Sequence, residues 1–532
     1  MNIVDTLFAR CDREAVALVC DDLSLTYGQL EAEVDRAAGA LLDAGLPEPR
    51  TGFVPRVGLA CPNGPDHVIL ALAVLRVGGC LVPVPGELAA PEREALIRTV
   101  GVHAVVVAGE MPWPGRDHCG TYSPASEIQK RRAAHVEEHG TCFSRLNPKK
   151  FVPNSSTPLS EIVELVAKEI PELSATLFLE PQRSPQELGF EEAAIADLSP
   201  AFIRFSSGTT GRSKGIVLSH ASLMARIETG NRRLGITPAD RIVWILPMAH
   251  HFAVSIILYL LKGATTVVVR SHLPEDILDA ALRHEGTVLY GAPFHHAMLA
   301  REPSGRPWPT LRLAVSTAAA LPLATARAFD FRYGVPLSQG FGIIEAGLPL
   351  LNTAAPREKP ESVGRPLDDM AVDFRDPETG RTAAAGEVGE LFLQADGMLD
   401  AYLNPWRLRG DILADGRWFQ TGDLARQDAD GFVYVVGRTN SVINSAGMKC
   451  FPEEVEAVIQ SHPGVLAVRV SGQPHPHFGA VPVADIIAGE PAPSAASLAA
   501  HCRNALAHHK IPVEFRFVKD LPRTSSGKIR RF

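Results

Sequence analysis

Ten residues between two apolar runs, Ser206–Gly215, hold three glycines (Gly208, Gly211, Gly215), five hydroxyls (Ser206, Ser207, Thr209, Thr210, Ser213) and Lys214. Glycines let backbone N–H groups converge on an anion, hydroxyls add donors, and a lysine adds a point charge, so the natural guest is a polyphosphate. The pattern is not GxxxxGK[ST], because Gly208 and Gly211 precede Lys214 and Gly215 follows it. Alone, such a loop is more often a plain turn. A basic stretch near the end, PRTSSGKIRR with Lys528, and single carboxylates at Glu345 and Asp423 also carry chemistry, although each by itself suits a solvated surface or a cap. The doublets His250-His251, His295-His296 and His508-His509 put adjacent imidazoles on opposite sides of any regular element, and the eight cysteines form no CxxC pair. A structural metal site is therefore not expected, and most cysteines are expected to be reduced and structural.

The elements that must carry these residues follow an α/β rhythm. AVALVCDDLSLTY reads as two strands about an Asp21-Asp22 turn, and a helix follows from about Gly28, with Leu30, Val34, Ala37 and Leu41 on one face and Gly45 at its end. RVGLAC, CLVPVP and HAVVVAG read as strands and PDHVILALAVLRVG as a helix, and this alternation implies parallel sheets covered on both faces. An insertion at about 111–200 breaks the rhythm. Within it TPLSEIVELVAKEI reads as an amphipathic helix capped by Thr157, with Leu159, Ile162, Val163, Val166 and Ile170 on one face. It suits either a partner-docking element or a surface insertion packed on its own domain. AFIRF, RIVWIL, ATTVVV, GTVLY and LRLAV resume the strands, and after Glu387 short strands and a hairpin turning at Asp430-Gly431 give a β-rich part. The expectation is a large N-terminal body, 1–437, and a small α+β C-terminal domain, 438–532.

In order, the motifs LSLTYGQL, SSGTTGRSKG, STAAALP, QGFGIIE, TGD, GRTN, VINSAGMKCFPEEVE and SSGKIRR resemble those of the ANL superfamily of adenylate-forming enzymes: acyl-CoA synthetases, peptide-synthetase adenylation domains and luciferases. The resemblance covers nearly the whole chain and is strongest towards the acyl-CoA synthetases. It implies ATP and Mg²⁺ as cofactors and CoA as co-substrate. Residues Ser206, Ser207, Gly208, Thr209, Thr210, Gly211 and Lys214 would form the phosphate loop. Ala318, Ala319 and Ala320 would wall the adenine, with Phe341 stacked on its other side and Gly342 beside it. Glu345 would be the Mg²⁺ carboxylate, Asp423 would grip the ribose hydroxyls with Arg438 assisting, and Lys528 would be the mobile catalytic lysine between substrate carboxylate and α-phosphate. The C-terminal domain would rotate about a hinge at Asn440 after adenylation and bring Gly447 to the thiol tunnel. Two positions depart from the family: Ile344 replaces the usual threonine before the glutamate, and Asn440 replaces a charged hinge residue.

LPMAHHFAVSIILYLL is similar to the segment walling the family's acyl pocket, with His250 at its gating position. His251 or Ala253, depending on register, stands where amino-acid-activating relatives have an aspartate, and neither can pair with an α-ammonium. Phe252, Ala253, Val254, Ile256 and Ile257 suit an apolar carboxylic acid and would equally suit a plain helix core. Three functions follow: a two-step acid–CoA ligase, an adenylating enzyme delivering to a carrier protein or an amine, or a catalytically silent nucleotide-binding homologue.

Composition bounds these readings. Net charge is −8 and hydrophobic residues make up 46%, with no dense Lys/Arg block to neutralise a nucleic acid and no uninterrupted apolar run long enough to span a membrane. MNIVDTLFARCDREAV lacks the apolar core of a signal peptide, so a cytoplasmic location is expected.

Overall fold

Strand-length apolar runs bounded by glycine and proline build the parallel sheets. In the computed structural model the described residues are 2–86, 88–109, 166–170, 175–180, 184–205, 214–367, 370–445, 448–475 and 478–522. They divide into two compact units, Met1–Ile203 with Pro247–Arg270, and Arg204–Leu246 with Ser271–Phe532.

In the first unit, strands Arg56–Ala60, Cys80–Pro83 and Ala104–Ala108 are buried at every position, as strands covered on both faces must be. They pair in parallel, and Cys80–Pro83 also pairs in parallel with Pro200–Phe205 through Leu81 and Phe202. The apolar helix Pro65–Arg76 connects the first two. Elsewhere in this unit Val16–Cys20 forms a hairpin with Leu23–Thr26 and lies parallel to Thr265–Val268, with Asp21 taking the left-handed turn position (φ 52°). Helix Tyr27–Asp43 begins in a reciprocal cap: Thr26 Oγ1 accepts from the Gln29 N–H at 3.2 Å, and Gln29 Oε1 accepts from the Thr26 N–H at 2.9 Å. Leu30, Val34, Ala37 and Leu41 are fully buried along its inner stripe.

The insertion departs from the helical reading. Val166–Ile170 is a strand, paired antiparallel with Ala175–Leu179, which in turn pairs antiparallel with Ala104–Ala108. An apolar spacing of three and four residues is compatible with a helix, but a β-rich hairpin partner and a sheet edge supply long-range pairing that a local pattern does not show. Residues 157–165 of that expected helix lie outside the described residues.

In the second unit, Arg241–Trp244, Val288–Gly291, Leu313–Ser316 and Leu337–Ile343 run parallel in that order, and Leu337–Ile343 turns back antiparallel into Gly347–Leu351. An antiparallel sheet follows in the order Ala371–Arg375, Gly389–Gln394, Phe419–Gln427, Val433–Arg438. Beyond it, helices Pro452–Gln460 and Ala495–Arg503 and the long hairpin Val465–His475/Gly479–Ala488 enclose a separate apolar core that includes Val455, Ile459, Val470, Ile486 and Leu498. The fold is α/β with parallel sheets, a β-rich part and an α+β C-terminal stretch. Among the described residues no helix is long and apolar enough to cross a membrane.

The histidine doublet on helix Pro293–Ala300 sends its rings to different partners. His295 Nε2 lies 3.3 Å from His272 Nδ1, and His296 Nε2 lies 3.1 Å from the Val315 carbonyl. The described cysteines are free thiols and, Cys11 apart, buried.

Candidate active site

Glu345 lies in the turn between strands Leu337–Ile343 and Gly347–Leu351, a hairpin in which Phe341 faces Leu350 across the ladder. Its backbone is fixed from below by Arg226 of helix His220–Leu234. That buried guanidinium donates to the carbonyls of Ile344 (2.9 Å), Glu345 (3.4 Å) and Gly397 (2.9 Å from Nε, 2.5 Å from Nη2). Gly397 is left-handed (φ 71°), and a Cβ there would stand 2.5 Å from the Ser222 carbonyl and 2.6 Å from the Arg226 backbone nitrogen, so only glycine permits the approach.

The carboxylate itself is held by Tyr402, whose hydroxyl donates to Glu345 Oε1 at 3.1 Å. On the face of the same ring, 4.8 Å from its centroid, sits the Lys214 ammonium. Burial and the neighbouring Glu345 push the Tyr402 hydroxyl upward, which keeps it protonated and donating. Burial lowers Arg204 to about 10 while the charge of Glu345 pulls it back up. Arg226 is also brought to about 10 by burial, against the charges of Asp400 and Glu345. Both guanidiniums stay charged at neutral pH. Asp400 fastens the next link: it accepts from the Ser219 N–H (2.6 Å), the Ser222 hydroxyl (2.9 Å) and Arg409 (2.8 Å) at the N-terminus of helix His220–Leu234. The cations Lys214, Arg204, Arg226 and Arg409 thus outnumber Glu345 and Asp400, a balance that favours an anionic ligand.

In the antiparallel sheet Asp423 stands directly across from Arg438, and Arg438 Nε donates to Asp423 Oδ1 at 2.9 Å, with the carboxylate buried and the arginine half-exposed. Ala318, at the end of strand Leu313–Ser316, is one of the non-glycine residues held at positive φ (73°), a conformation that persists only where its surroundings impose it. Ala319 and Ala320 beside it are exposed, Phe341 is half-buried and Gly342 is exposed.

A family model for AMP-binding enzymes matches residues 7–403, and one for the AMP-binding enzyme C-terminal domain matches 454–528. The chain belongs to the AMP-binding enzyme family. It is an adenylate-forming enzyme of the ANL superfamily, of the acid–thiol ligase class. It is 34% identical over 339 residues to a sulfoacetate–CoA ligase of Cupriavidus necator, a match spanning 63% of this chain and 66% of that one. It is 27% identical to a feruloyl-CoA synthase of Amycolatopsis over 98% of this chain and 95% of that one. Its fold is that of o-succinylbenzoate CoA synthetase from Bacillus subtilis in complex with its acyl-adenylate, with a TM-score of 0.78 and 24% identity over 100% of this chain and 97% of that one.

Of the residues expected from the family motifs, Lys214 is brought to the ring face of Tyr402 and Glu345 to its hydroxyl, and Asp423 and Arg438 meet as a cross-strand pair. Loop residues Ser206, Ser207, Gly208, Thr209, Thr210 and Gly211, together with Gly447 and Lys528, lie outside the described residues. Asn440 is exposed in the turn Thr439–Ser441. Of the segment expected to wall an acyl pocket, residues 247–261 belong to the first unit. They form a short helix, Met248–His251, then a π-helical turn, Phe252–Ile256, which contains Val254, then helix Ile257–Leu261. His250 and Ala253 are buried, Phe252, Ile256 and Ile257 are fully buried, and His251 is half-buried. Such π turns recur at functional sites in helices. Among the described residues no group of three or more His, Cys, Asp or Glu side chains could hold a metal.

Family motifs in the sequence did not point to Arg204, Arg226, Gly397, Asp400 or Tyr402. Arg226 has no carboxylate three or four residues away in SLMARIETG, since Glu228 at i+2 lies on another face of the helix, and that is a sequence sign of a buried polar anchor.

Proposed function

We propose that the enzyme converts an apolar carboxylic acid and ATP to an acyl-adenylate and pyrophosphate, then transfers the acyl group to CoA with release of AMP. In the first step the carboxylate oxygen attacks the α-phosphorus and the bond to pyrophosphate breaks. In the second, the thiol attacks the acyl carbonyl and AMP leaves. The observation that carries this reading is the Lys214–Tyr402–Glu345 arrangement, an ammonium and a carboxylate held apart on one aromatic ring within a cationic surround. Lys214 and loop residues 206–211 would take the β- and γ-phosphates. Ala318–Ala320, Phe341 and Gly342 would enclose the adenine. Asp423, oriented by Arg438, would accept the ribose hydroxyls, and Lys528 would bridge carboxylate and α-phosphate.

A magnesium ion fits Glu345. Its Oε1 is engaged by Tyr402, its Oε2 makes no hydrogen bond to another described residue, and a single hard oxygen ligand plus phosphate oxygens is the usual way Mg²⁺ is bound with a nucleotide. When bound, the ion would neutralise charge on the phosphates.

The acid would lie against His250, His251, Phe252, Ala253, Val254 and Ile257, and its apolar body is supported by the burial of Phe252, Ala253 and Ile257. Similarity to a feruloyl-CoA synthase over nearly the full length supports an aromatic acid among apolar ones. Between the two steps the domain 438–532 would turn about Asn440 and present Gly447 to the thiol. The test is mass spectrometry of a reaction containing Mg-ATP and a panel of aliphatic, aromatic and sulfonate-bearing acids, with and without CoA. An acyl-CoA plus AMP from an apolar acid is the expected result. Turnover of the sulfonate alone would overturn the apolar substrate, and acyl-AMP that accumulates equally with and without CoA would overturn the acceptor.

A further inference from the structure

We infer that Tyr402 is a positioning residue that seats the Lys214 ammonium and the Glu345 carboxylate at once and keeps the two from neutralising each other. The inference rests on the proposed roles of those two residues. Tyr402 lies on strand Ala401–Leu403, in antiparallel register with the strand that leaves the glycine-rich loop: Tyr402 faces Ile216, and Ala401 faces Val217. Gly215, next to Lys214, has no Cβ because one would stand 3.0 Å from the Leu403 side chain, so the two strands are locked closely. The ring is 6% exposed and cannot turn away.

With the ring fixed, its electron-rich face offers the ammonium a seat 4.8 Å from the centroid, and its hydroxyl fills one lone pair of Glu345 at 3.1 Å. Lys214 and Glu345 form no direct ion pair. A lysine and a glutamate this near a common residue would otherwise collapse together, which would take away the phosphate donor and the metal ligand in one event. The hydroxyl aims Glu345, whereas the ring seats Lys214, so the two functions are separable by substitution.

The experiment is equilibrium binding of a fluorescent ATP analogue without any acid, so that no turnover occurs, measured with and without Mg²⁺. In Y402F the ring remains and the hydroxyl is lost. Its Mg²⁺-dependent gain in affinity should fall by about 10-fold, the loss expected for one hydrogen bond to a charged group, while Mg²⁺-free binding stays within about two-fold of wild type. Y402L should weaken both. The double variant Y402F/E345Q should lose no more of the Mg²⁺-dependent gain than E345Q alone, because both act on one group. A Y402F variant that keeps the full gain, or that loses Mg²⁺-free binding equally, overturns the inference alone. A wild-type protein that does not bind the nucleotide overturns the proposed function.

Discussion

Glu192→Gln perturbs a buried ion group that fastens the short helix Glu192–Ala196 to the first unit's sheet. Arg56 is fully buried, and its guanidinium is bidentate to Glu192 at 2.6 and 2.7 Å while Nε donates to the Gly101 carbonyl at 2.9 Å. His103, kept neutral by burial, accepts the Arg56 backbone N–H at Nδ1 (3.0 Å), which leaves its proton on Nε2, 3.5 Å from Glu192. Burial works to raise the Glu192 carboxyl, but hydrogen bonds from Arg56 and His103, with the charge of Arg56, outweigh it and hold the pKa at about 2 against 4.5. At about 1.36 kcal/mol per pH unit this corresponds to about 3 kcal/mol for a side chain 28% exposed. Because the folded pKa is depressed, that contribution is complete above the unfolded pKa and is lost as the pH falls from 4.5 towards 2. Substitution by glutamine at neutral pH also leaves a buried guanidinium without its counter-ion, which costs about 3–5 kcal/mol. Hydrogen exchange reports on this group at the His103 amide, which donates to the Arg56 carbonyl at 2.8 Å, and along strands Arg56–Ala60 and Ala104–Ala108. Exchange there should accelerate by about 10²–10³-fold, and Arg56→Met combined with Glu192→Gln should recover most of the loss, since removing the guanidinium as well leaves no buried charge without its counter-ion. Acceleration of less than about five-fold, or a double variant as labile as the single one, would refute the account.

Three further outcomes follow from the second unit and the C-terminal motif. Lys528→Ala should slow acyl-AMP formation by about 10²–10³-fold, as for loss of one preorganised charge-stabilising donor, and unchanged pyrophosphate release would reject that role. Gly397→Ala should lower kcat/KM for ATP by about 10²-fold, because a Cβ placed 2.5 Å from the Ser222 carbonyl must push segment 397–400 off helix His220–Leu234 and shift Glu345 with it. Steady-state kinetics alongside a melting curve separates this displacement from global unfolding. Asp423→Asn should raise the KM for ATP by about 10-fold or more with a smaller change in kcat, the signature of uniform binding lost from the ribose. An unchanged KM would remove Asp423 from the nucleotide site.

Much of the fold could be read directly from residues. Arg56–Ala60, Cys80–Pro83 and Ala104–Ala108 are short apolar runs between glycine and proline, and each is a buried parallel strand. The hairpin at Asp430-Gly431 was legible too, but the pairing of Asp423 with Arg438 was not, because an irregularity between Leu424 and Ala425 shifts the register by one residue beyond the turn. Val166–Ile170 was not, because its spacing fits a helix while its pairing partner decides for a strand. The π turn Phe252–Ile256 was not legible either, since a slip from i+4 to i+5 hydrogen bonding leaves the apolar pattern of the segment almost unchanged. Arg226, Asp400 and Tyr402 escaped notice for another reason. Arg226 meets Gly397 across 171 positions, Asp400 meets Ser222 across 178, and Tyr402 meets Glu345 across 57. No local period encodes such contacts.

Those long-range contacts explain why buried charge is retained where apolar packing would be cheaper. Arg226 ties the Ile344–Glu345 turn and the Gly397 backbone to the interior of helix His220–Leu234, and Asp400 ties the following residues to that helix's N-terminus through Ser219, Ser222 and Arg409. A buried ion group of this kind adds little net stability over an apolar one, but its directional hydrogen bonds fix register in a way that apolar contacts do not. The same helix continues from strand Gly215–Ser219, which begins immediately after Lys214. Lys214, Glu345 and Tyr402 therefore take their separations from one helix and its two charged anchors. In the proposed reaction, the ordering of these three groups is incurred when the chain folds and not when the nucleotide binds, and the site can displace only as a unit.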